Sequence, residues 1–522
     1  MIQDFSTLLA LSIFVVALLP IVYHFYDPKG FRKYPTQNWL SGISYLGYCW
    51  EVARNHEHFH SHRLHEAHKR YPVMRVGPNW LSFTKAQAAK DIYGYTSSCS
   101  KAAIYDSLSG GGRHLVNITE KSIHSGRRRM MAAAYAPRHS EKWEKGIAES
   151  MANLLLHMDE RCTGPLNDSH DASLGELGFE AMYWSNLYTY EVIIKIGLSQ
   201  DMGWLKAGND LVEITNPDGT TKTISAIQCL HAGSRASAVL VWDTQRFPLY
   251  KHIAMRLSKS YAEHVKQAAD WRTLVTRMAR ERTVRFEAGE ALDDLFEPMM
   301  VGKGGEKPDI HDRDRIAEVD QMINGGGDGP AISLTCTLYH LIKNPAALGR
   351  LREELDDALG HSDGTAPWSK VRNLEYLKAC IDESMRLLPP VATDLLRKTA
   401  PEGLKVDTEM VPGNTIVSVS AYSAHRDPDV FDDPETFRPE RWLIRGEDKL
   451  KEMRAVYIPF SLGTRACIGR NITTVLQTIF LSTLIKRYEF ALPNPDWEME
   501  FEEYFNLWPI QLPLRIWRRA TT

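Results

Sequence analysis

Residues 460–469 carry the densest chemistry in the chain: Phe460-Ser-Leu-Gly463-Thr-Arg465-Ala-Cys467-Ile-Gly469. A cysteine stands between two glycines, with an arginine two positions before it and a helical pattern, Cys467–Lys486, opening at it. Backbone N–H groups at a helix start and a nearby guanidinium both favour a thiolate. Glycine lets backbone come close to a flat ligand, and the Arg465 fork matches a carboxylate. The other cysteines, Cys49, Cys99, Cys162, Cys229, Cys336 and Cys380, are scattered and form no C-x-x-C pair. That excludes a disulfide scaffold or a zinc ribbon and suits buried apolar thiols in a reducing compartment.

A thiolate so held is a strong axial ligand for haem iron, and the complete spacing F-x-x-G-x-R-x-C-x-G resembles the cysteine signature of the cytochrome P450 monooxygenases. Further features stand in the order that family shows: Glu383-Ser-Met-Arg386, then His425-Arg426-Asp427-Pro428, then Phe437-Arg-Pro-Glu-Arg441-Trp442. The resemblance implies heme b (iron protoporphyrin IX) as cofactor, with Cys467 as the iron ligand and Phe460, Arg465 and Gly469 beside it. It implies that Glu383, Arg386 and Arg441 form a buried structural network behind the haem. It also implies that His124, Arg128, Arg397 and Arg465 face the two haem propionates, whose buried charge needs cations.

The sequence departs from the family at one place. The usual oxygen-side helix pattern is a small residue, Gly, any residue, an acid, then Thr. Here it reads Gly325-Gly326-Gly327-Asp328-Gly329-Pro330. Asp328 keeps the acid, Gly329 stands where the threonine holds a proton-donating water, and Pro330 follows. Pro330 has no N–H and collides with the carbonyl of Gly326, and glycines weaken a helix by about 1 kcal/mol each, so the helix is expected to kink or open here. Asp328 and Gly329 are therefore the catalytic positions in question. Asp328 with ordered water, a substrate hydroxyl, or Ser333 one turn on would have to take the threonine's part. The glycine run is not a nucleotide loop, since it lacks the G-x-G-x-x-G spacing and a preceding strand.

The elements that must position these groups are mostly helices. Apolar spacing predicts helices at Trp143–Met158, Glu180–Gly197, Asp312–Lys343, Pro345–Gly360 and Asn373–Leu388, with Gly360 and Pro389-Pro390 as stops. Thr415–Val419 reads as a strand. Asn209–Thr223, with its Pro-Asp-Gly, and Val301–Lys307 read as loops. The expected fold class is mainly α, the cytochrome P450 fold: a large helical haem domain with a small β region. The substrate pocket is expected from Lys101–Asn117, Ala226–Tyr250, Gly326–Ser333, Val391–Leu395 and Phe505–Trp508, with Tyr105, Trp242, Phe247 and Phe505 as an apolar aromatic lining.

From Phe5 to Tyr26 there is no charged residue, a length that spans about 33 Å as a helix against a bilayer core of about 30 Å. Lys29, Arg32 and Lys33 follow it, and no basic n-region precedes it, so an uncleaved transmembrane anchor with the remainder cytosolic is expected. The organisation reads as an anchor over 1–27, a proline-containing connector over 28–45, and a catalytic domain over 46–522. Lys plus Arg is 62 and Asp plus Glu 65, a net charge of −3, which argues against a nucleic-acid binder. The resemblance implies an endoplasmic-reticulum, single-pass enzyme of fungal secondary metabolism. It would insert one oxygen atom from O2 into a small apolar organic substrate, with electrons from NADPH through a separate reductase docked near Arg127, Arg129 and Arg470. Gly329-Pro330 leaves open a haem-thiolate isomerase or dehydratase, or an oxidative rearrangement enzyme. A membrane-anchored haem sensor is a third reading, disfavoured by Asp328 and the complete cysteine motif.

Overall fold

The spine of the molecule is the helix Asp312–Lys343. A computed structural model describes residues 18–54, 58–108, 111–164, 177–216, 218–302 and 305–520. His311 caps the spine by accepting the Arg313 N–H, and Asp312 and Asp314 occupy the first turn, where the helix dipole favours acids. Every residue from Gly327 to Leu341 except Gly329 is buried. A helix buried all round must have neighbours on every side. These are the helices Ala181–Leu198, Lys259–Glu287, Glu375–Leu387 and Arg470–Arg487 and the strand Asn506–Pro509. Ala181–Leu198 is itself buried on nearly every face, and Glu180 caps it by accepting the N–H groups of Met182 and Tyr183.

The helix does not open at Pro330: the spine runs helical through it. Packing overrides the local penalty. A Cβ on Gly326 would lie 2.3 Å from Cγ1 of Ile193, and one on Gly327 would lie 2.3 Å from the Tyr190 ring. The glycines therefore let Ala181–Leu198 press against the spine, and that contact holds the weakened turn. Gly329 differs, with nothing within 4 Å of the place its Cβ would take. Gly327→Ala is accordingly expected to lower the unfolding temperature, at an overpacking cost of about 1–3 kcal/mol. Gly329→Ala is expected to raise it, by about 1 kcal/mol of helix propensity. Calorimetry on both variants reads the difference.

The remaining predicted helices appear as Ser140–Glu160, Pro345–Leu359 closed by Gly360 at φ +58°, and Glu375–Leu387. The last helix is Arg470–Arg487, so Cys467 stands just before it rather than in it. Residues 209–223 are not a loop. Leu211–Thr215 and Thr221–Ser225 pair antiparallel, and Asp218-Gly219 lie in the turn, with Gly219 at φ +84°. The β-branched alternation of these strands outweighs the turn signal between them, which marks a hairpin tip.

A five-stranded sheet runs in the order Val73–Gly77, Trp80–Phe83, Ile416–Val419, Arg397–Lys398, Ser100–Lys101. The proline-containing segment docks on it. Phe31 is buried in the sheet's core, and Arg75 N–H donates to the Pro35 carbonyl at 2.8 Å. Residues 18–26 are helical, and His24 Nδ1 lies 3.1 Å from the Gly42 carbonyl. The expected anchor falls largely on residues 1–17, outside the described residues. Among the described residues no helix is long and apolar enough to cross a membrane.

Candidate functional site

The cysteine loop is folded back on itself. Cys467 N–H donates to the Phe460 carbonyl at 2.8 Å. Gly463 sits at φ +66°, where a Cβ would lie 2.2 Å from the Tyr93 carbonyl oxygen, so the turn admits only glycine. The Cys467 side chain is exposed, in contrast to the five buried cysteines. Desolvation by the surrounding protein pushes its thiol up. The N–H groups of Gly469 and Arg470 and the guanidiniums of Arg128 and Arg470 act against that rise without cancelling it. The loop alone thus holds a thiol, and a bound cation has to supply the rest of the charge that makes a thiolate.

Four basic side chains gather beside the loop, and burial together with the three arginines pushes Lys101 well below the ordinary lysine value. Arg128 Nη1 donates to the Ala466 carbonyl at 2.6 Å, and Arg465 donates to the carbonyls of Ile118 and Thr119 at 2.7 and 3.0 Å. Sheet register sets Lys101 directly opposite Arg397, a like-charge cross-strand pair that costs stability unless something anionic is present. Lys101 bonds the Val116 carbonyl, and Arg397 bonds the Leu396 carbonyl at 3.0 Å and the Tyr105 hydroxyl at 3.4 Å. Among the described residues no salt bridge joins any of the four to a carboxylate. Burial, with Arg397 and Arg128, brings Arg465 down to about 10. Burial and then Arg465, Lys101, Arg128 and Arg397 push His124 down to about 3, so it stays neutral. Lys101 carries no motif, and sequence reasoning missed it as a cation.

On the spine, Gly325 is exposed, Gly329 half-buried and Ser333 buried. Residues four apart share a helix face, so an open stripe runs along this face and closes at Ser333. Asp328 does not look into that stripe as a free acid. Its Oδ1 accepts from Tyr190 Oη at 2.6 Å and His231 Nε2 at 2.7 Å, and its Oδ2 accepts from Asn506 Nδ2 at 3.1 Å and Trp508 Nε1 at 3.2 Å. A carboxylate has about four acceptor sites, and all are taken. Burial would push this carboxyl up, but His231, Tyr190 and Asn506 outweigh it and the net shift is downward. Asp328 therefore ties Ala181–Leu198, Ala226–Ala238 and the Asn506–Pro509 strand to the spine. His231, packed against Trp508 with ring centroids 4.4 Å apart and planes tilted by 31°, was invisible in the sequence because nothing local marks it.

Behind the loop, Glu383 accepts from Arg386 Nε and Nη2, Arg441 Nε and Arg438 N–H at 2.9 Å, and from Trp442 Nε1 at 3.0 Å. His425 links this cluster to the cysteine segment: its Nδ1 lies 3.1 Å from the Arg386 carbonyl, and its Nε2 accepts the Ile458 N–H at 2.8 Å. Burial and the nearby arginines push His425 down to about 3, the neutral form this pairing needs.

The aromatic residues expected to line a pocket divide. Tyr105 is buried beneath Lys101, 4.8 Å from its ring centroid. Trp242 is spent on packing against Trp80 and Tyr48, with only an edge on an outer cavity of about 770 Å³ that residues 19–26 and 102–104 also line. Phe247 packs against that same core. Phe505 forms the turn of the Phe501–Pro509 hairpin at φ +76°. Of the basic residues expected at a docking face, Arg129 and Arg470 are exposed. Arg127 is turned inward onto Glu318 at 3.2 Å and Asp314 at 3.6 Å, because the spine's acidic first turns lie beside it.

Residues 39–512 match the cytochrome P450 family. The chain is a cytochrome P450. Among curated proteins, Tryprostatin B 6-hydroxylase of Aspergillus fumigatus is 27% identical over 467 residues, covering 87% of this chain and 76% of that protein. Cytochrome P450 monooxygenase lnbC of Aspergillus flavus is 27% identical over 500 residues, covering 94% and 92%. A crystal structure of the cytochrome P450DA haem domain superposes with a TM-score of 0.68 at 16% identity, covering 88% of this chain and 94% of that one; at that identity the likeness is one of fold.

Cytochromes P450 are haem-thiolate oxidoreductases that bind protoporphyrin IX. The residues of this cytochrome P450 fit that group. The exposed side chain of Cys467, the glycine stripe of the spine, and four basic side chains without a salt bridge among the described residues are what an iron, a flat macrocycle and two propionates would complete.

Proposed function

We propose that this cytochrome P450 is a membrane-anchored fungal monooxygenase of secondary metabolism that places one oxygen atom from O2 into a small apolar organic substrate. The observation that carries the reading is Cys467 beside the basic side chains Lys101, Arg128, Arg397 and Arg465, none of them in a salt bridge among the described residues, a pairing that suits the iron and the two propionates of haem. Cys467 is assigned as the iron ligand. Arg128, Arg397 and Arg465 are assigned to the propionates, with His124 as a neutral hydrogen-bonding neighbour, and Lys101 joins them. Bound haem supplies oxygen activation; the protein supplies the thiolate and the propionate clamp. Exposed Arg129 and Arg470 favour an acidic docking face on an NADPH-dependent reductase. The uncharged run before residue 27 supports an endoplasmic-reticulum anchor with the catalytic domain on the cytosolic side.

The test is a reduced, CO-bound spectrum followed by turnover with reductase and NADPH. The long-wavelength Soret band of thiolate ligation and O2-dependent product are expected. A Soret band at the imidazole-type position would overturn the assignment of Cys467. A second reading rests on Gly329, which brings no hydroxyl to the open stripe, and on the saturation of Asp328: a rearrangement or dehydration needing no O2. Product formed under nitrogen without NADPH would establish that reading in place of the first.

A further inference from the structure

Asp328 is a fully buried carboxylate, and a buried charge is retained only where an opposite charge and hydrogen bonds meet it. Of its four donors, the Tyr190 phenol, the Asn506 amide and the Trp508 indole are neutral. His231 is the one basic group among them, with Nε2 at 2.7 Å. Pairing therefore places the compensating proton on this imidazole, and an imidazolium donates from both ring nitrogens. Its Nε2–H is spent on Asp328. Its Nδ1 has no partner among the described residues. That atom is open rather than sealed, and the side chain keeps 13% of its surface accessible.

The surroundings fix the ring. Trp508 packs against it and donates to the same carboxylate. One helical turn on, Arg235 lies 5.4 Å from the Trp508 ring centroid and pairs with Glu502 at 2.9 Å, which holds that indole in turn. Helix Ala226–Ala238, the spine and the strand Asn506–Pro509 thus converge on one imidazole. Asp328, which orients it, is the chain neighbour of Gly329, where the stripe is open.

We propose that His231 Nδ1–H is a specificity-determining donor that binds a carbonyl-type hydrogen-bond acceptor on an otherwise apolar substrate. The proposal rests on the monooxygenase reading and names the substrate class within it. A ligand that displaces water from Nδ1 without offering an acceptor leaves a charged donor unmet, and a site of that kind rejects analogues lacking the group. Asp328 is then a positioning residue: it acts through His231, whose ring it holds in one orientation with or without ligand. No proton changes hands in this role, so the saturation of Asp328 by four donors is what the role requires.

The experiment is calorimetric titration of the haem-loaded full-length protein with cyclohexyl phenyl ketone and with benzylcyclohexane, which replaces the carbonyl by a methylene. Wild type is expected to bind the ketone about tenfold more tightly, the low end for a hydrogen bond from a charged donor. His231→Gln sets an amide nitrogen near the place of Nε2. It keeps a donor for Asp328 and loses the second, so its preference is expected to fall to near unity while its unfolding temperature stays close to wild type. His231→Asn sets an amide nitrogen near the place of Nδ1 and is expected to keep part of the preference, a rescue that a merely structural histidine would not show. A crystal structure with the ketone is expected to place its oxygen within hydrogen-bond distance of His231 Nδ1. No preference in wild type, or an undiminished preference in His231→Gln, would overturn this inference, and with the thiolate spectrum intact the monooxygenase reading would stand. Absence of that spectrum in wild type would overturn the monooxygenase reading and this inference with it.

Discussion

Cys467→Ala is expected to abolish the thiolate signature of the haem and all turnover, while the protein retains its helical content. The side chain is exposed and belongs to no core cluster, so its loss removes little packing. Substitutions away from core contacts, caps and buried pairs usually fall within about 0.5 kcal/mol, and the chain's thermal unfolding without haem should be almost unmoved. The consequence for ligation is expected to be total, because Cys49, Cys99, Cys229, Cys336 and Cys380 are buried thiols and Cys162 is half-buried, while Cys467 alone is exposed. Desolvation holds the free thiol protonated, so haem loading of the wild type should release the Cys467 proton, and loading of Cys467→Ala should release none from this residue. Proton release measured in weakly buffered titrations with haem checks this. Equal release by the two proteins, or an unchanged Soret position, would remove Cys467 from the iron.

Glu383→Gln is expected to have the largest effect on stability. Glu383, Arg386 and Arg441 are 0–3% exposed at the side chain, and one carboxylate answers two guanidiniums. Removing one partner of such a group leaves charge buried and uncompensated, at about 3–5 kcal/mol. Burial would raise the Glu383 carboxyl, but Arg386 and Arg441 and the Arg438 N–H outweigh it, so its folded value lies below the ordinary one. Its contribution is therefore complete above the unfolded carboxylate range, about pH 4.3, and is lost as the pH falls through the folded value. Calorimetry of wild type and Glu383→Gln between pH 7 and mild acid should show a large difference that narrows as acid protonates the wild-type carboxyl. Because His425 joins this cluster to the Ile458 backbone, the variant should also load haem poorly. Equal unfolding temperatures at neutral pH would refute the structural role.

Much of the site was legible because its parts are local in sequence. A loop that must turn twice around one thiol needs glycine at 463 and a helix behind it, and those demands are written within ten positions. The Glu383–Arg386 pair sits on one helix turn for the same reason. What escaped notice was assembled across the fold. Lys101 reaches the cation cluster only because a two-residue strand pairs with Arg397. His231 reaches Asp328 from 97 positions away. Arg127 looked like surface charge until the spine's first turns were placed beside it.

The sequence by itself determined the family, the identity of the cysteine that matters and the course of the long helices, since all three rest on short-range spacing and side-chain periodicity. Only the tertiary structure decided what the helix does at Pro330, where lateral packing against Tyr190 and Ile193 overrides the local cost of glycine and proline. It also decided the fate of Asp328, which the sequence offered, with ordered water, in the threonine's place. Four donors from three other elements converge on that carboxylate, and hydrogen bonds of that kind depend on separations in space that no spacing along the chain records.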